Sequence, residues 1–157
     1  MWQFFEFEAD FVESLRCIPM QVRYKLDTCG VKLKLQHWLN FNETERQMLI
    51  ALPCDRPPEI TYYRETLRSL VFAKFQIYPH DLAIALAPDW FSDQIPETVM
   101  AHIQELSLEF KPQAIALNQW QNLSPLQKFA LIKLSTSHHE NSNFLPALQE
   151  FGFLAQG

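Results

Sequence analysis

The chain has 157 residues, 48% of them hydrophobic and 20% charged, with only 3 glycines. That balance excludes a disordered or low-complexity protein and suits one compact domain able to bury a core of its own. A formal net charge of -5 removes the general positive field that non-specific nucleic-acid binding needs. No apolar run is long enough to span a bilayer, so no membrane association is expected. Met1 to Asp10 carries Glu6, Glu8 and Asp10 where a secretory signal would have a basic stretch and an apolar one. Three cysteines, Cys17, Cys29 and Cys54, cannot all pair within one chain, and with no export signal the expected location is the cytoplasm, where thiols stay reduced.

Taken in chain order, punctuation and periodicity both favour helices. Phe4, Phe7, Phe11, Leu15 and Ile18 recur at steps of three and four, which predicts an amphipathic helix halted by Pro19. Pro19 suits the first position of a second helix, with Val22, Leu26 and Cys29 on one face and Gly30 as a left-handed stop. The alternation Val31 to Leu35 is strand-like but lacks a second segment of comparable strength, so it reads as an extended connector. Asn42 with Glu45 has capping-box spacing and opens a helix through Leu52, closed by Pro53. After Pro57-Pro58, the residues Ile60, Tyr63, Leu67, Leu70, Val71 and Phe75 give the cleanest helical stripe. Ile77 to Pro96, interrupted by three prolines, reads as an irregular connection and a candidate binding loop.

Pro125 to Ser135 is apolar on nearly every side and should be the most buried helix. A polar loop from Ser137 to Asn143 follows, with Ser142 or Asn143 placed to cap a last helix. That helix carries Phe144, Leu145, Leu148 and Phe151 on one face, has Pro146 in its first turn and ends at Gly152. The fold class is therefore all-α, a helical bundle of about six to eight helices, read as one domain over residues 1–157.

Two blocks of the chain echo each other in order and spacing. Ile18-Pro19, Val22 and Leu26 correspond to Ile95-Pro96, Val99 and Ile103. Trp38, Phe41, Asn42, Glu45, Arg46, Leu49 and Leu52 correspond to Trp120, Leu123, Ser124, Gln127, Lys128, Leu131 and Leu134. Ser124-Pro125-Leu126-Gln127 again supplies a cap, a first-position proline and a capping-box partner. An internal repeat of 18–52 in 95–134 explains this; so does the general likeness of capped amphipathic helices.

Chemistry-bearing patterns are sparse. Cys17, Cys29, Cys54 and His37 form the one conceivable metal set, yet they lack C-x-x-C spacing and paired histidines, and Cys29 lies on an apolar helical face. His80-Asp81 and His138-His139-Glu140 offer acid-base pairs with no nucleophile or oxyanion site beside them. Three scattered glycines cannot build a phosphate-cradling loop. No enzyme activity and no bound cofactor are expected. Arg16, Arg23, Lys25, Lys32 and Lys34, opposed locally by Asp27 alone, form a basic run that fits either an acidic partner or a solvated helix face.

Several blocks carry a family resemblance. Phe7-Glu8-Ala9-Asp10-Phe11-Val12, Ser14-Leu15-Arg16-Cys17-Ile18-Pro19-Met20 and Val22-Arg23-x-Lys25-Leu26-Asp27 resemble the nitrate reductase-associated protein family of cyanobacteria, the NarM type. So do Leu52-Pro53-Cys54-Asp55, Leu126-Gln127-Lys128-Phe129-Ala130-Leu131-Ile132-Lys133-Leu134-Ser135, and Asn143-Phe144-Leu145-Pro146-Ala147-Leu148. His138 and Ser142 depart from the family pattern, where glycine and arginine are expected, and the stretch Ile77 to Ile95 matches least. The resemblance implies a small cytoplasmic protein needed for an assimilatory, ferredoxin-dependent molybdenum nitrate reductase to be active. The cofactors of that reaction belong to the partner.

On this reading the protein is a non-catalytic accessory or assembly factor that binds nitrate reductase. Its expected docking surface is the bend at Arg16, Cys17, Ile18, Pro19 and Met20 with Arg23 and Lys25, because a bend exposes mixed polar and apolar groups that a continuous helix would bury. Cys54-Asp55, held in a loop between Pro53 and Pro57, is the second candidate. The opposing reading is that Cys17, Ile18 and Met20 fill the core. Two other functions remain open: a metal- or redox-handling protein in which Cys17 and Cys54 meet, and an adaptor that draws ferredoxin in through the basic run.

Overall fold

A computed structural model describes residues 5–8, 18–84, 87–110, 117–136 and 143–152. Among them are eight α-helices, two single turns of 3-10 helix and a pair of two-residue strands, so the fold is mainly helical. Of the helix expected over Phe4 to Ile18, only a 3-10 turn, Glu6–Glu8, falls within the described residues, with Ile18 just past the gap. The chain divides into two compact units, one containing Glu8–Ala85 and the other Leu86–Gly157 with Phe5–Phe7.

The first unit begins with α1, Met20–Cys29. Pro19 stands just outside as the N-cap, and its carbonyl accepts from the amides of Val22 and Arg23, both at 3.0 Å. With no side chain of its own able to cap, the helix start takes a remote carboxylate: Glu8 Oε2 accepts from the Met20 amide at 3.0 Å. An anion at the positive end of a helix is stabilising as well as hydrogen-bonded. The helix ends as its sequence predicts, with Gly30 left-handed at φ 78° and its amide on the Leu26 carbonyl at 2.9 Å. Here glycine is required twice over. A Cβ would also sit 2.8 Å from Cγ1 of Ile84 and 3.0 Å from the Leu82 carbonyl oxygen.

The stretch after Gly30 corrects the connector reading. Val31–Lys32 is strand β1, paired antiparallel with β2, His80–Asp81, in the register Val31 to Asp81 and Lys32 to His80. The partner lies in the irregular stretch and has no apolar alternation of its own. What secures it is the Leu82 amide on the Gly30 carbonyl at 2.8 Å and Arg64, which binds both the Gly30 carbonyl and Asp81. Next come α2, Leu35–Asn40, a short helix that the sequence left unassigned, and α3, Glu43–Ala51. The Asn42 and Glu45 capping box forms in both directions, each bond 2.8 Å. Helix α4, Pro57–Phe75, buries Tyr63, Leu67 and Val71 along its stripe and leaves Ile60, Leu70 and Phe75 partly buried. It packs against α1, and its fully buried aliphatic residues each contribute about 1.5–3 kcal/mol relative to exposure.

In the second unit a 3-10 turn, Asp89–Phe91, precedes α5 (Glu97–Phe110), α6 (Leu117–Gln121), α7 (Pro125–Thr136) and α8 (Phe144–Glu150). Helix α7 is central, as expected: it packs against the Asp89–Phe91 turn, α5 and α8, and buries Lys128, Phe129, Ala130, Leu131 and Leu134. Its capping box is Ser124 with Gln127, at 3.1 and 2.9 Å. Asn143 occupies the N-cap position of α8 but makes no side-chain cap bond, and Ser142 lies outside the described residues.

Positions matched between the two sequence blocks carry matched roles. Trp38 and Trp120 are both fully buried, as are Val22 and Val99, and Leu49 and Leu131. The amide of Phe41 bonds the Trp38 carbonyl, and that of Leu123 the Trp120 carbonyl, in each case just before the capping residue.

Candidate functional site

The structure withdraws most of the expected bend from the surface. Ile18, Pro19 and Met20 are buried, while Arg16 and Cys17 lie outside the described residues. The exposure expected of a bend is lost because its polar groups are answered from within: Glu8 takes the Met20 amide, and Arg23 Nε donates to the Ile18 carbonyl at 3.1 Å. Lys25 is buried too. Its ammonium donates to the carbonyls of Ile50 and Leu52, both at 2.6 Å, and so caps the C-terminal end of α3, where a cation is favoured. Burial pulls the Lys25 pKa down, opposed by the neighbouring Cys54 and Asp55. Of the basic run, Lys32 and Lys34 are exposed and Arg23 is half-buried, so no continuous stripe that includes Lys25 faces solvent.

Cys54 is buried, while its neighbour Asp55 is exposed. The pairing of Cys17 with Cys54 falls outside the described residues, but Cys54 meets another thiol. Cys29, the last residue of α1, and Cys54, in the loop between α3 and α4, belong to one buried cluster, and each influences the other's ionisation. Both sulfurs also lie against one turn of α1, Cys29 Sγ 3.8 Å from the Leu26 carbonyl and Cys54 Sγ 3.8 Å from the Lys25 carbonyl. Interaction between the two thiols lowers the Cys29 pKa, with Arg64 assisting and burial opposing, and raises that of Cys54, with burial assisting. Tyr63 is buried beside them, its hydroxyl donating to the Leu49 carbonyl at 2.8 Å, and burial raises its pKa well above the usual tyrosine range. No cluster of three or more His, Cys, Asp and Glu side chains placed to hold a metal occurs among the described residues.

What the first unit does expose is aromatic. Phe72 and Tyr78 stack with ring centroids 4.6 Å apart and planes 23° from parallel, and the Arg68 guanidinium lies 4.5 Å from the Tyr78 ring centre. Phe72 is 42% exposed, Tyr78 50% and the adjacent Ile77 69%. Asp81 accepts from Arg64 at 2.6 Å and stands 3.7 Å from Arg68, and the Arg64 bond holds its carboxyl below the usual range. Asp81 is thus a structural anchor rather than half of an acid-base pair. Sequence reading placed a candidate binding loop from Ile77 onward but missed Phe72 and Arg68. Phe72 lies off the apolar stripe of α4, and a large aromatic on the polar face of so clean a helix was the available signal.

In the second unit an open pocket of about 340 Å³ is lined by Glu6, Phe7, Pro146, Gln149 and Glu150. The Phe7 amide donates to Glu150 Oε1 at 3.1 Å, and partial burial raises the Glu150 pKa. Among the described residues the lining brings together a pair of carboxyl side chains, Glu6 and Glu150, with no histidine, thiol or hydroxyl beside them.

Comparison with known proteins adds the family. The family model described as conserved nitrate reductase-associated protein matches residues 4–151, nearly the whole chain. No curated protein and no solved structure matches it. Among the described residues no helix is long and apolar enough to cross a membrane. The chain belongs to the nitrate reductase-associated protein family.

Proposed function

We propose that this family member acts without chemistry of its own, as an accessory or assembly protein that binds nitrate reductase and favours its active form. The observation that carries the reading is the family match over residues 4–151. A protein that binds one conformation of an enzyme better than another shifts the enzyme toward it, and needs a rigid framework and a contact surface rather than a catalytic centre. The docking surface we assign is the Phe72–Tyr78 stack with Arg68 and Ile77. Aromatic residues and arginine dominate the energetics of protein interfaces, and here they are presented ready-ordered by stacking. Arg23 and Asp55 remain as secondary contacts.

The test is capture of nitrate reductase by the tagged protein from nitrate-grown cells, followed by activity and molybdenum assays on what is captured. Active, molybdenum-loaded enzyme identifies an accessory subunit, and molybdenum-poor enzyme an assembly factor. Absence of nitrate reductase from the captured material overturns the reading. Phe72→Glu with Tyr78→Glu should cut capture at least tenfold, equivalent to about 1.4 kcal/mol, without unfolding the chain. If the double variant captures normally while Arg23→Glu does not, docking returns to the region of the bend.

A further inference from the structure

We propose that Cys29 and Cys54 are a redox-active pair that closes into a reversible intramolecular disulfide when the folded protein meets a disulfide oxidant of the glutathione class. This goes beyond the docking role and does not depend on it. The two residues come from different elements, yet both belong to one buried cluster and their sulfurs lie against the carbonyls of consecutive residues on α1. Sulfurs set against adjacent carbonyls of one helical turn, inside one buried cluster, can reach the S–S length of about 2.05 Å by side-chain rotation and a small approach of the Cys54 loop.

One side of the pair is fixed and the other can move. Cys29 ends a buried helix whose capping glycine is locked by Ile84 and Leu82, whereas Cys54 sits in a short loop with Pro53, Asp55 and Arg56 exposed around it. Both thiols are nearly inaccessible, 1% and 2% exposed, so an oxidant reaches them only when that loop opens locally. Arg64 favours the thiolate of Cys29 and Lys25 that of Cys54, but in the closed state burial and the interaction with Cys29 outweigh Lys25 and keep Cys54 protonated.

The step balances as thiol–disulfide exchange. On opening, Cys54 leaves the burial and the Cys29 contact that hold its proton, and its thiolate attacks one sulfur of oxidised glutathione. The glutathione S–S bond breaks, a Cys54–glutathione mixed disulfide forms, and one glutathione leaves and takes up the first proton. Cys29 thiolate then attacks Cys54 Sγ, the second glutathione leaves with the second proton, and two electrons have passed from the protein to the oxidant. In a reducing compartment such a bond is transient, which is the behaviour of a sensor rather than of a structural staple.

The experiment uses the unmodified, folded, full-length chain, reduced and then equilibrated in native buffer over a series of reduced-to-oxidised glutathione ratios. Disulfides are mapped by peptide mass after the remaining thiols are blocked. The expected result is a Cys29–Cys54 cross-link that appears at a defined ratio, costs the chain two hydrogens in mass and disappears on adding dithiothreitol. Cys29→Ala should stall as a mixed disulfide on Cys54. Labelling confined to Cys17 in the folded chain, with Cys29 and Cys54 reacting only after denaturation, would overturn the proposal. A cross-link to Cys17 in place of the Cys29–Cys54 bond would overturn it equally.

Discussion

The capped helices α3 and α7 are built on the same local plan and surrounded by different chemistry. Each follows a fully buried tryptophan, opens with a reciprocal capping box and places a cation one residue beyond it: Arg46 donates to the Phe41 carbonyl at 2.6 Å, Lys128 to the Ser92 carbonyl at 3.2 Å. Around α7 the buried groups among the described residues are mostly hydrocarbon, Phe129, Leu131, Leu134, Phe144 and Leu148, with Lys128 and the Trp120 indole as polar members. Around α3 the core takes in Lys25, Cys29, Cys54 and Tyr63. An apolar interior of this kind stabilises by area alone, whereas each ionisable group costs free energy unless it is paired. The first unit meets that cost with specific bonds, Lys25 on two carbonyls and Tyr63 on one. Its stability should therefore answer to pH and redox state, while that of the second should answer mainly to volume.

The largest effects should come from the tryptophans. Trp38→Ala and Trp120→Ala should each cost about 3–5 kcal/mol, read from denaturant midpoints, because both side chains are fully buried. Replacement by phenylalanine separates them. Trp120 Nε1 donates to the Ser92 carbonyl at 3.1 Å, while Trp38 Nε1 finds no acceptor among the described residues. Trp120→Phe should then cost about 1 kcal/mol more than Trp38→Phe, the worth of one hydrogen bond. Equal losses would mean that the two positions are held alike after all.

The helix-ending glycines give the next contrast. Gly30→Ala should cost about 2 kcal/mol or more, since it adds a collision with Ile84 and the Leu82 carbonyl to a left-handed backbone. Gly152, at φ 84° with nothing within 4 Å of a new Cβ, should cost only the backbone share, about 1 kcal/mol. Pairing Gly30→Ala with Ile84→Ala should recover part of the difference.

Tyr63 tests the sensitivity of the first unit to pH. Its pKa is raised by burial in the folded state, so between about pH 10 and that higher value the unfolded chain has lost a proton that the folded chain keeps. Stability contributed by the neutral hydroxyl is thus fully present below about pH 10 and falls as pH rises above it. Tyr63→Phe should cost about 1–2 kcal/mol at neutral pH by leaving the Leu49 carbonyl short of a partner, and should flatten the alkaline decline. An unchanged alkaline limb would place that decline elsewhere.

Why these differences are invisible in the sequence while the shared plan is plain follows from the range of the interactions. Asn42 with Glu45, Ser124 with Gln127, Gly30 as a left-handed stop and the Tyr63–Leu67–Val71 stripe all act within one or two helical turns, and each appears where its spacing predicts. Val31–Lys32 was missed as a strand because its partner, His80–Asp81, is distant in the chain and is held by Arg64 rather than by a pattern of its own. The bend looked exposed because nothing near Pro19 announces that Glu8 will cap the Met20 amide or that Arg23 will turn back to Ile18. The thiol pair shows the same limit. Cys29 was legible as a residue on an apolar face, but its meeting with Cys54 depends on how α1 and the loop after α3 pack.

The smallest contrast is between the caps themselves. Asn42→Ala and Ser124→Ala should each cost about 1 kcal/mol, because each leaves an amide at the third helical position without its acceptor. Lengthening the side chain discriminates between the two positions better than deleting it. Asn42→Gln moves the acceptor one bond outward and should lose most of the cap, while Ser124→Asp keeps an acceptor in reach and adds a negative charge at the positive end of α7. That charge would also stand near Lys128, buried at the start of the same helix. Ser124→Asp should therefore match or exceed the parent in thermal stability at neutral pH and lose that advantage as pH falls through the range where the new carboxylate protonates. Asn42→Asp makes the same exchange at α3, but there Glu43 and Glu45 already crowd the first turn with negative charge. Its gain should be smaller than that of Ser124→Asp, and a larger gain at α3 would show that the environments of the two caps, and not only their geometry, are equivalent.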